Sequence, residues 1–295
     1  MTNLTSMSET ASTAISSLRI CFYGAGSMAE AIARGMLSKQ LLPAEQIAML
    51  NRSNEARLLE LHNGYGVQTR LQGQNNEQLL READIIFLTM KPKDAAVALT
   101  ELKSIVTSKQ LIISVIAGLS ISLTQQLLGE QIPVVRAMPN TSSTIGLGAT
   151  GVSFSDLVSD KQRESALAIF ESFGTTTIVD ESLQPAITGI SGSGPAYFYY
   201  FMEAMIQAGE ELGLTKDEAQ ELVVQTALGA AQMVRQTRET PEELRRKVTS
   251  PNGTTHQAIT SMAENELPAI VIQAIKRCAA RQIEMGQDIE RSINS

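Results

Sequence analysis

The chain is poor in the residues on which most catalytic machinery is built. Its 295 residues include two histidines, His62 and His256, and two cysteines, Cys21 and Cys278. It has no HExxH motif, no Ser-His-Asp order and no clustered metal ligands, so metalloprotease and triad-hydrolase chemistry are set aside and no metal is expected. The two cysteines stand far apart and form no CxxC pair or disulfide framework, which fits a reducing cytosol and a cytoplasmic protein. Cys21 falls in a strand pattern and reads as a small buried hydrophobe. No Lys/Arg cluster offsets the net charge of −7, which argues against a nucleic-acid partner. Apolar runs such as residues 111–117 are strand-length, whereas a membrane span needs about 20 residues. Residues 1–17, rich in Ser and Thr, lack both a basic start and an apolar core. They read as a disordered tail rather than a signal peptide.

What the chain does have begins at Leu18. The run Leu18-Arg19-Ile20-Cys21-Phe22-Tyr23 ends in Gly24-Ala25-Gly26-Ser27-Met28-Ala29, and a helical pattern follows at once. Strand, glycine turn and helix in this order make the G-x-G-x-x-A form of the dinucleotide-binding βαβ fingerprint. Gly24 allows the tight turn, Gly26 lets backbone approach a pyrophosphate, and Ala29 lets the helix lie close on the strand. The free N–H groups and positive end of that helix then face the phosphates.

Strand and helix patterns alternate from residue 18 to 180. Strands are predicted at 19–23, 47–51, 84–90, 111–116, 134–138, 148–153 and 175–179, with helices at 29–38, 54–61, 77–82, 95–105, 122–128 and 160–172. Apolar runs of this kind imply a doubly wound, mainly parallel α/β sheet of Rossmann type. Strand signals stop after residue 180. Helices are predicted at 195–212, from the Thr215–Glu218 capping box to about 236, from the Thr240–Glu243 box, and over 255–264 and 268–290. The expected organisation is a tail over 1–17, a dinucleotide-binding domain over 18–180 and an all-α domain over 181–295. The stretches Tyr197-Phe198-Tyr199-Tyr200-Phe201 and Leu222-Val223-Val224 with Ala227-Leu228 are apolar nearly all round. One small bundle should not expose that much, so these helices are expected to be shared between the subunits of a homodimer.

The end of the second strand bears on cofactor choice. NAD-specific folds place Asp or Glu there to bind the ribose 2′-hydroxyl. Here Asn51-Arg52 stands instead. No carboxylate at that position repels a 2′-phosphate, and Arg52 can pair with one. NADPH is therefore expected, with NADH as the alternative. Later loops at the carboxyl edge of the sheet hold Lys91-Pro92 and Val115-Ile116-Ala117. Lys91 is read as a cofactor neighbour in preference to a catalytic base, and Pro92 as a stiffener of its loop. Two glycine-bearing loops, residues 189–195 and 249–255, are expected to run into helix starts. There hydroxyls and backbone N–H groups would cradle a carboxylate. His256 beside the second is an alternative proton donor. With so few titratable candidates, the chemistry is assigned to a cofactor.

Three segments together make the pattern specific: Arg136-Ala137-Met138-Pro139-Asn140-Thr141, Thr188-Gly189-Ile190-Ser191-Gly192-Ser193-Gly194-Pro195-Ala196-Tyr197, and Val248 to Thr255. In that order, behind the glycine fingerprint, the chain resembles the pyrroline-5-carboxylate reductases over about residues 18–281. The resemblance implies reduction of a cyclic imine, (S)-1-pyrroline-5-carboxylate, to L-proline with NAD(P)H. It also implies a Rossmann domain followed by a helical dimerisation domain, often assembled into rings of dimers. Carried over by position, Tyr23, Gly24, Ala25, Gly26, Ser27 and Met28 would cradle the pyrophosphate, and Arg52 would lie near the 2′-phosphate. Asn76, Lys91, Val115, Ile116 and Ala117 would line the adenosine and nicotinamide ribose. Glu181, Ser250, Gly253, Thr254 and Thr255 would contact substrate, with Thr255 hydrogen-bonded to the ring nitrogen.

The chain departs from the family pattern twice, with Ser142 in place of a proline and Asn252 in place of a glycine. Asn tolerates a left-handed backbone, so the second loop is expected to keep its shape. Competing readings are a β-hydroxyacid dehydrogenase or imine reductase and a non-catalytic NADP(H) sensor. The former usually use a lysine in the first long helix of the second domain, and 195–212 contains none.

Overall fold

The structure, a computed structural model, describes residues 15–73 and 76–294. Most of the expected tail therefore lies outside the described residues; Ile15, at their start, is fully buried in the core. The chain divides into two compact units. One takes in the chain up to Ser193 together with Arg277–Ser295, and the other is Gly194–Lys276.

The first unit is built on an eight-stranded sheet: β1 (Ile20–Tyr23), β2 (Ile47–Asn51), β3 (Gln68–Leu71), β4 (Ile85–Leu88), β5 (Leu111–Ser114), β6 (Val134–Met138), β7 (Gly148–Phe154) and β8 (Gly174–Ile178). Their order is β3-β2-β1-β4-β5-β6-β7-β8, parallel throughout except for the β6–β7 pair. The helices between them are α1 (Ser27–Ser38), α2 (Glu55–Tyr65), α3 (Glu77–Glu82), α4 (Ala95–Leu102), α5 (Ile121–Leu128) and α6 (Asp160–Glu171). The doubly wound sheet expected from the alternation is what the chain forms.

Alternate residues of the central strands feed two cores, one on each face. Ile20, Phe22, Ile85, Phe87, Leu111 and Ile113 belong to one cluster, and Cys21, Tyr23, Ile86, Leu88 and Ile112 to the other. Burial on both faces is why these strands read as unbroken apolar runs. The β1–β4 register sets Phe22 opposite Phe87, and the rings stack at 4.7 Å with 14° between planes. Phe170 on α6 meets Phe87 edge-on at 6.4 Å, so the rings join sheet and helix. Ala29 is fully buried on α1, as its place in the fingerprint requires. A Cβ on Gly35, one turn and a half further on, would stand 2.8 Å from that of Phe173, so glycine sets how closely α1 passes α6's end. Burial pushes the Cys21 thiol up to about 12, which leaves it a packing residue.

After β8 the chain turns into α7 (Gln184–Ile187), a π-helical turn over Thr188–Gly192, and α8 (Gly194–Glu211). Four more helices follow: α9 (Lys216–Thr237), α10 (Pro241–Lys247), α11 (Thr254–Glu264) and α12 (Leu267–Asn294). Both capping boxes read from the sequence are formed, Thr215 with Glu218 and Thr240 with Glu243.

One expectation is corrected here. Residues 189–195 are not an open glycine loop leading into a helix. They continue a helical path from Gln184, and the Ser193 N–H donates to the Thr188 carbonyl at 2.9 Å. Asn140 holds the turn from the strand side, with Nδ2 donating to the Ser191 carbonyl at 3.0 Å. The backbone groups expected to cradle an anion there are spent on the helix itself.

Candidate active site

Parallel pairing brings the carboxyl ends of β2, β1, β4 and β5 to one edge, and the chain reverses its winding between β1 and β4. That edge, at the switch point, is where open α/β sheets bind ligands. Gly24 has φ +122°, and a Cβ there would sit 2.9 Å from the Thr89 carbonyl carbon. Its N–H donates to the Leu50 carbonyl at 3.0 Å, and its carbonyl accepts from the Thr89 hydroxyl at 2.6 Å. The turn is thus clamped between the ends of β2 and β4. Gly26 caps α1 without a side chain, and a Cβ on it would meet no atom within 4 Å. An uncapped helix start with open space above a glycine fits the pyrophosphate of a dinucleotide.

The other cofactor candidates divide between exposed and structural roles. Tyr23 is 5% exposed and its hydroxyl donates to Glu101 at 2.7 Å, so the fingerprint uses its backbone, not its ring. Burial and the Glu101 carboxylate push that hydroxyl's pKa up. Ala25 is buried, Met28 half-buried, and Ser27 exposed on the first turn of α1. Asn51 accepts the Ser53 and Asn54 N–H groups at 3.1 and 3.0 Å, an Asx turn that shapes the loop carrying Arg52. Arg52 is exposed and pairs with Asp94 at 3.0 Å. Asn76 is buried, with Nδ2 on the Leu71 carbonyl at 2.9 Å. Lys91 is exposed before the Pro92–Asp94 turn. Val115 and Ala117 are half-buried and Ile116 buried, in the segment between β5 and α5.

Around the glycine loop lies a cluster that sequence reasoning missed. Arg57 on α2 pairs with Glu30 on α1, Tyr65 donates to Glu30 at 2.7 Å, and Arg57 Nε reaches the Ala25 carbonyl at 3.5 Å. Burial raises the Glu30 carboxyl's pKa, but the Arg57 and Tyr65 hydrogen bonds outweigh it and hold the group below the ordinary carboxylate range. The partners lie 27 and 35 residues from Glu30, and no local pattern marks them.

Glu181 is tied into the first unit. Its Oε1 accepts from Arg136 at 2.8 Å and from the Ile121 N–H at the start of α5 at 2.7 Å. Arg136 is buried, so this carboxylate neutralises it while capping the helix that follows Val115–Ser120.

The Ser250–Thr255 segment belongs to the second unit. Asn252 adopts φ +61°, the left-handed conformation anticipated for it. The Gly253 N–H donates to the Ser250 carbonyl at 3.0 Å, and a Cβ on Gly253 would fall 2.6 Å from Ser250 Oγ. Glycine is what lets the chain fold back on Ser250. Gly253 caps α11 with no side chain, and Ser250, Thr254, Thr255 and His256 are exposed. Three hydroxyls and several N–H groups therefore stand at a helix start with no fixed charge among them.

The class that emerges is a Rossmann-type, dinucleotide-dependent oxidoreductase with a helical C-terminal portion. A family model described as pyrroline-5-carboxylate reductase dimerisation matches residues 181–285, and one described as NADP oxidoreductase, coenzyme F420-dependent, matches 19–118. The chain is 42% identical to pyrroline-5-carboxylate reductase 1 of Bacillus subtilis over 93% of its length and 91% of that protein's. The enzyme of that name from Pseudomonas aeruginosa is 38% identical, with 93% and 99% covered. Among solved structures, a pyrroline-5-carboxylate reductase from Coxiella burnetii superposes with a TM-score of 0.83 at 37% identity, covering 91% of this chain and 98% of that one. The Plasmodium falciparum enzyme, solved with NADP bound, also gives 0.83, at 28% identity with 92% and 99% covered. The chain belongs to the pyrroline-5-carboxylate reductase family.

Proposed function

We propose that the chain performs its family's reaction, (S)-1-pyrroline-5-carboxylate to L-proline, with NADPH as the preferred reductant, in the cytoplasm and as a homodimer or ring of dimers. In this reading residues 18–180 serve the dinucleotide and 181–295 serve dimerisation and substrate. The observation that carries the substrate assignment is the uncapped start of α11, with Thr254 and Thr255 exposed beside Ser250. Its N–H groups and hydroxyls suit a carboxylate, which the helix dipole favours.

Ser250, Gly253 and Thr254 hold the carboxylate and so fix the ring's orientation. The substrate ring nitrogen carries the added proton, and the Thr255 hydroxyl accepts a hydrogen bond from that N–H. When bound, the nicotinamide supplies the hydride that the C=N carbon receives, which completes the amine without a strong base. Glu181, carried over as a substrate contact, is placed by its Oε1 bonds to the Ile121 N–H and Arg136, which also steady the segment of Val115, Ile116 and Ala117 beside the nicotinamide ribose. Gly24, Ala25, Gly26, Ser27 and Met28 meet the pyrophosphate through backbone, Asn51 and Arg52 the adenosine ribose, and Asn76, Lys91 and Pro92 frame it. Among the described residues, no helix is long and apolar enough to cross a membrane.

The full chain should consume NADPH when given pyrroline-5-carboxylate, with proline as the product, and more slowly consume NADH. Absence of turnover overturns the activity and favours a nucleotide sensor. A higher kcat/KM with NADH overturns the NADPH preference alone.

A further inference from the structure

The Arg52–Asp94 pair joins two loops that do not otherwise belong together. Arg52 follows β2 and Asp94 closes the turn after β4, and these two strands flank β1 on opposite sides. Their contact, Nη1 to Oδ1 at 3.0 Å, therefore bridges the carboxyl end of β1, where the Gly24–Gly26 turn lies. The two partners differ in freedom. The Arg52 side chain is 72% exposed and hangs from a turn. Asp94 is 28% exposed, its N–H donates to the Lys91 carbonyl at 2.9 Å, Pro92 stiffens its turn, and α4 begins at the next residue. The carboxylate is the fixed member and the guanidinium the movable one.

We propose that Asp94 is a specificity-determining residue. Its carboxylate competes with the cofactor's 2′-phosphate for Arg52 and so holds the preference for NADPH over NADH below what Arg52 alone would give. This rests on the reading that Arg52 meets the 2′-phosphate. A guanidinium has donors for two oxyanions, but a phosphate drawn to Arg52 is also drawn toward Asp94, and the two anions repel. A ribose 2′-hydroxyl meets no such penalty: it leaves the ion pair intact and can donate to the carboxylate. The exposed Lys91 and Lys93 lie on the same turn, but Asp94 is the residue paired with Arg52, so its charge is the one that competes for the guanidinium.

The test is a binding cycle on the full chain without substrate, with NADP⁺ and NAD⁺ as calorimetric titrants and native, Asp94→Asn, Arg52→Ala and doubly substituted proteins. Asn keeps the shape and the helix-start preference of Asp while removing its charge. Asp94→Asn should tighten NADP⁺ roughly 2- to 5-fold, the range an exposed ion pair commands, while NAD⁺ stays level or weakens slightly. The gain in NADP⁺ should largely vanish in the Arg52→Ala background. An unchanged NADP⁺/NAD⁺ ratio in Asp94→Asn, with Arg52→Ala selectively weakening NADP⁺, overturns the role of Asp94 and leaves the Arg52 reading standing. The same gain with and without Arg52 also overturns the competition, reducing Asp94 to general charge. Equal weakening of both nucleotides by Arg52→Ala overturns the Arg52 reading itself.

Discussion

Gly24 and Gly26 lie two residues apart and answer to different constraints. Gly24 is held at φ +122° against the Thr89 backbone, so Gly24→Ala meets both backbone strain and a clash. It should destabilise the first unit by about 1–3 kcal/mol, read as a shifted denaturant midpoint. Gly26 has an ordinary backbone and open space beyond it. Gly26→Ala should cost no more than about 1 kcal/mol of stability by the same measurement, yet weaken NADPH binding at least tenfold, because its methyl stands where the pyrophosphate approaches. Comparable stability losses in the two variants would remove the distinction. Thr255→Ala should lower kcat/KM about 10–100-fold, as for a lost oriented hydrogen bond, and an unchanged value in steady-state assays would end its assigned role. What was legible at this scale was local. The fingerprint glycines and the left-handed Asn252 follow from residue type and neighbours. Asp94 with Arg52, and Glu181 with Arg136, are 42 and 45 residues apart, and only the folded sheet brings them together.

Elements announced themselves where a local device marks them. The Thr215 and Thr240 boxes are such devices, and both helices start where the boxes put them. The hydrogen bonds from the Thr215 side chain, and from the Thr240 backbone and side chain, hold the Glu218 and Glu243 carboxyls below the ordinary range. A folded value below the unfolded one means that their support is complete above the ordinary carboxylate range and is lost as pH falls through the lowered value. Thr215→Ala should therefore lower the melting temperature by about 2–4 °C near pH 7, with the gap from native narrowing near pH 3. A gap independent of pH in thermal melts would show that Glu218 contributes nothing through the box. By contrast β3 escaped notice, because Gln68-Thr69-Arg70-Leu71 is an edge strand of mostly polar, partly exposed residues with no apolar run to betray it. The turn at Thr188–Gly192 escaped for the opposite reason: its glycines signal a loop, whereas close packing against Met138 and the Asn140 hydrogen bond keep it helical.

At the scale of the molecule the decisive quantity is apolar surface left uncovered. Among the described residues of Gly194–Lys276, the buried apolar side chains are Ala219 and Val223, whereas Tyr200 is 75% and Phe198 67% exposed, and Tyr199, Leu222, Val224 and Leu228 are exposed as well. Such a unit covers little of its own apolar surface, and patches of this size are ordinarily covered by a partner. The all-round apolar pattern of α8 and α9 carried that information in the sequence. It could not carry the number of subunits, which depends on the angle at which whole surfaces close. The family match to a dimerisation domain over 181–285 supports a second copy as the cover. A charge placed in that face should then act on assembly before it acts on the first unit. Tyr200→Asp with Leu222→Asp would set two buried, unpaired carboxylates in each subunit, and several kcal/mol per pair is enough to dissociate most interfaces. Sedimentation velocity should show the native chain as a dimer or a multiple of it and the double variant as a monomer. The native melting temperature should rise with protein concentration, and that of the variant should not. A native chain that sediments as a monomer, or a variant that assembles unchanged, would mean that this apolar face is not the subunit interface.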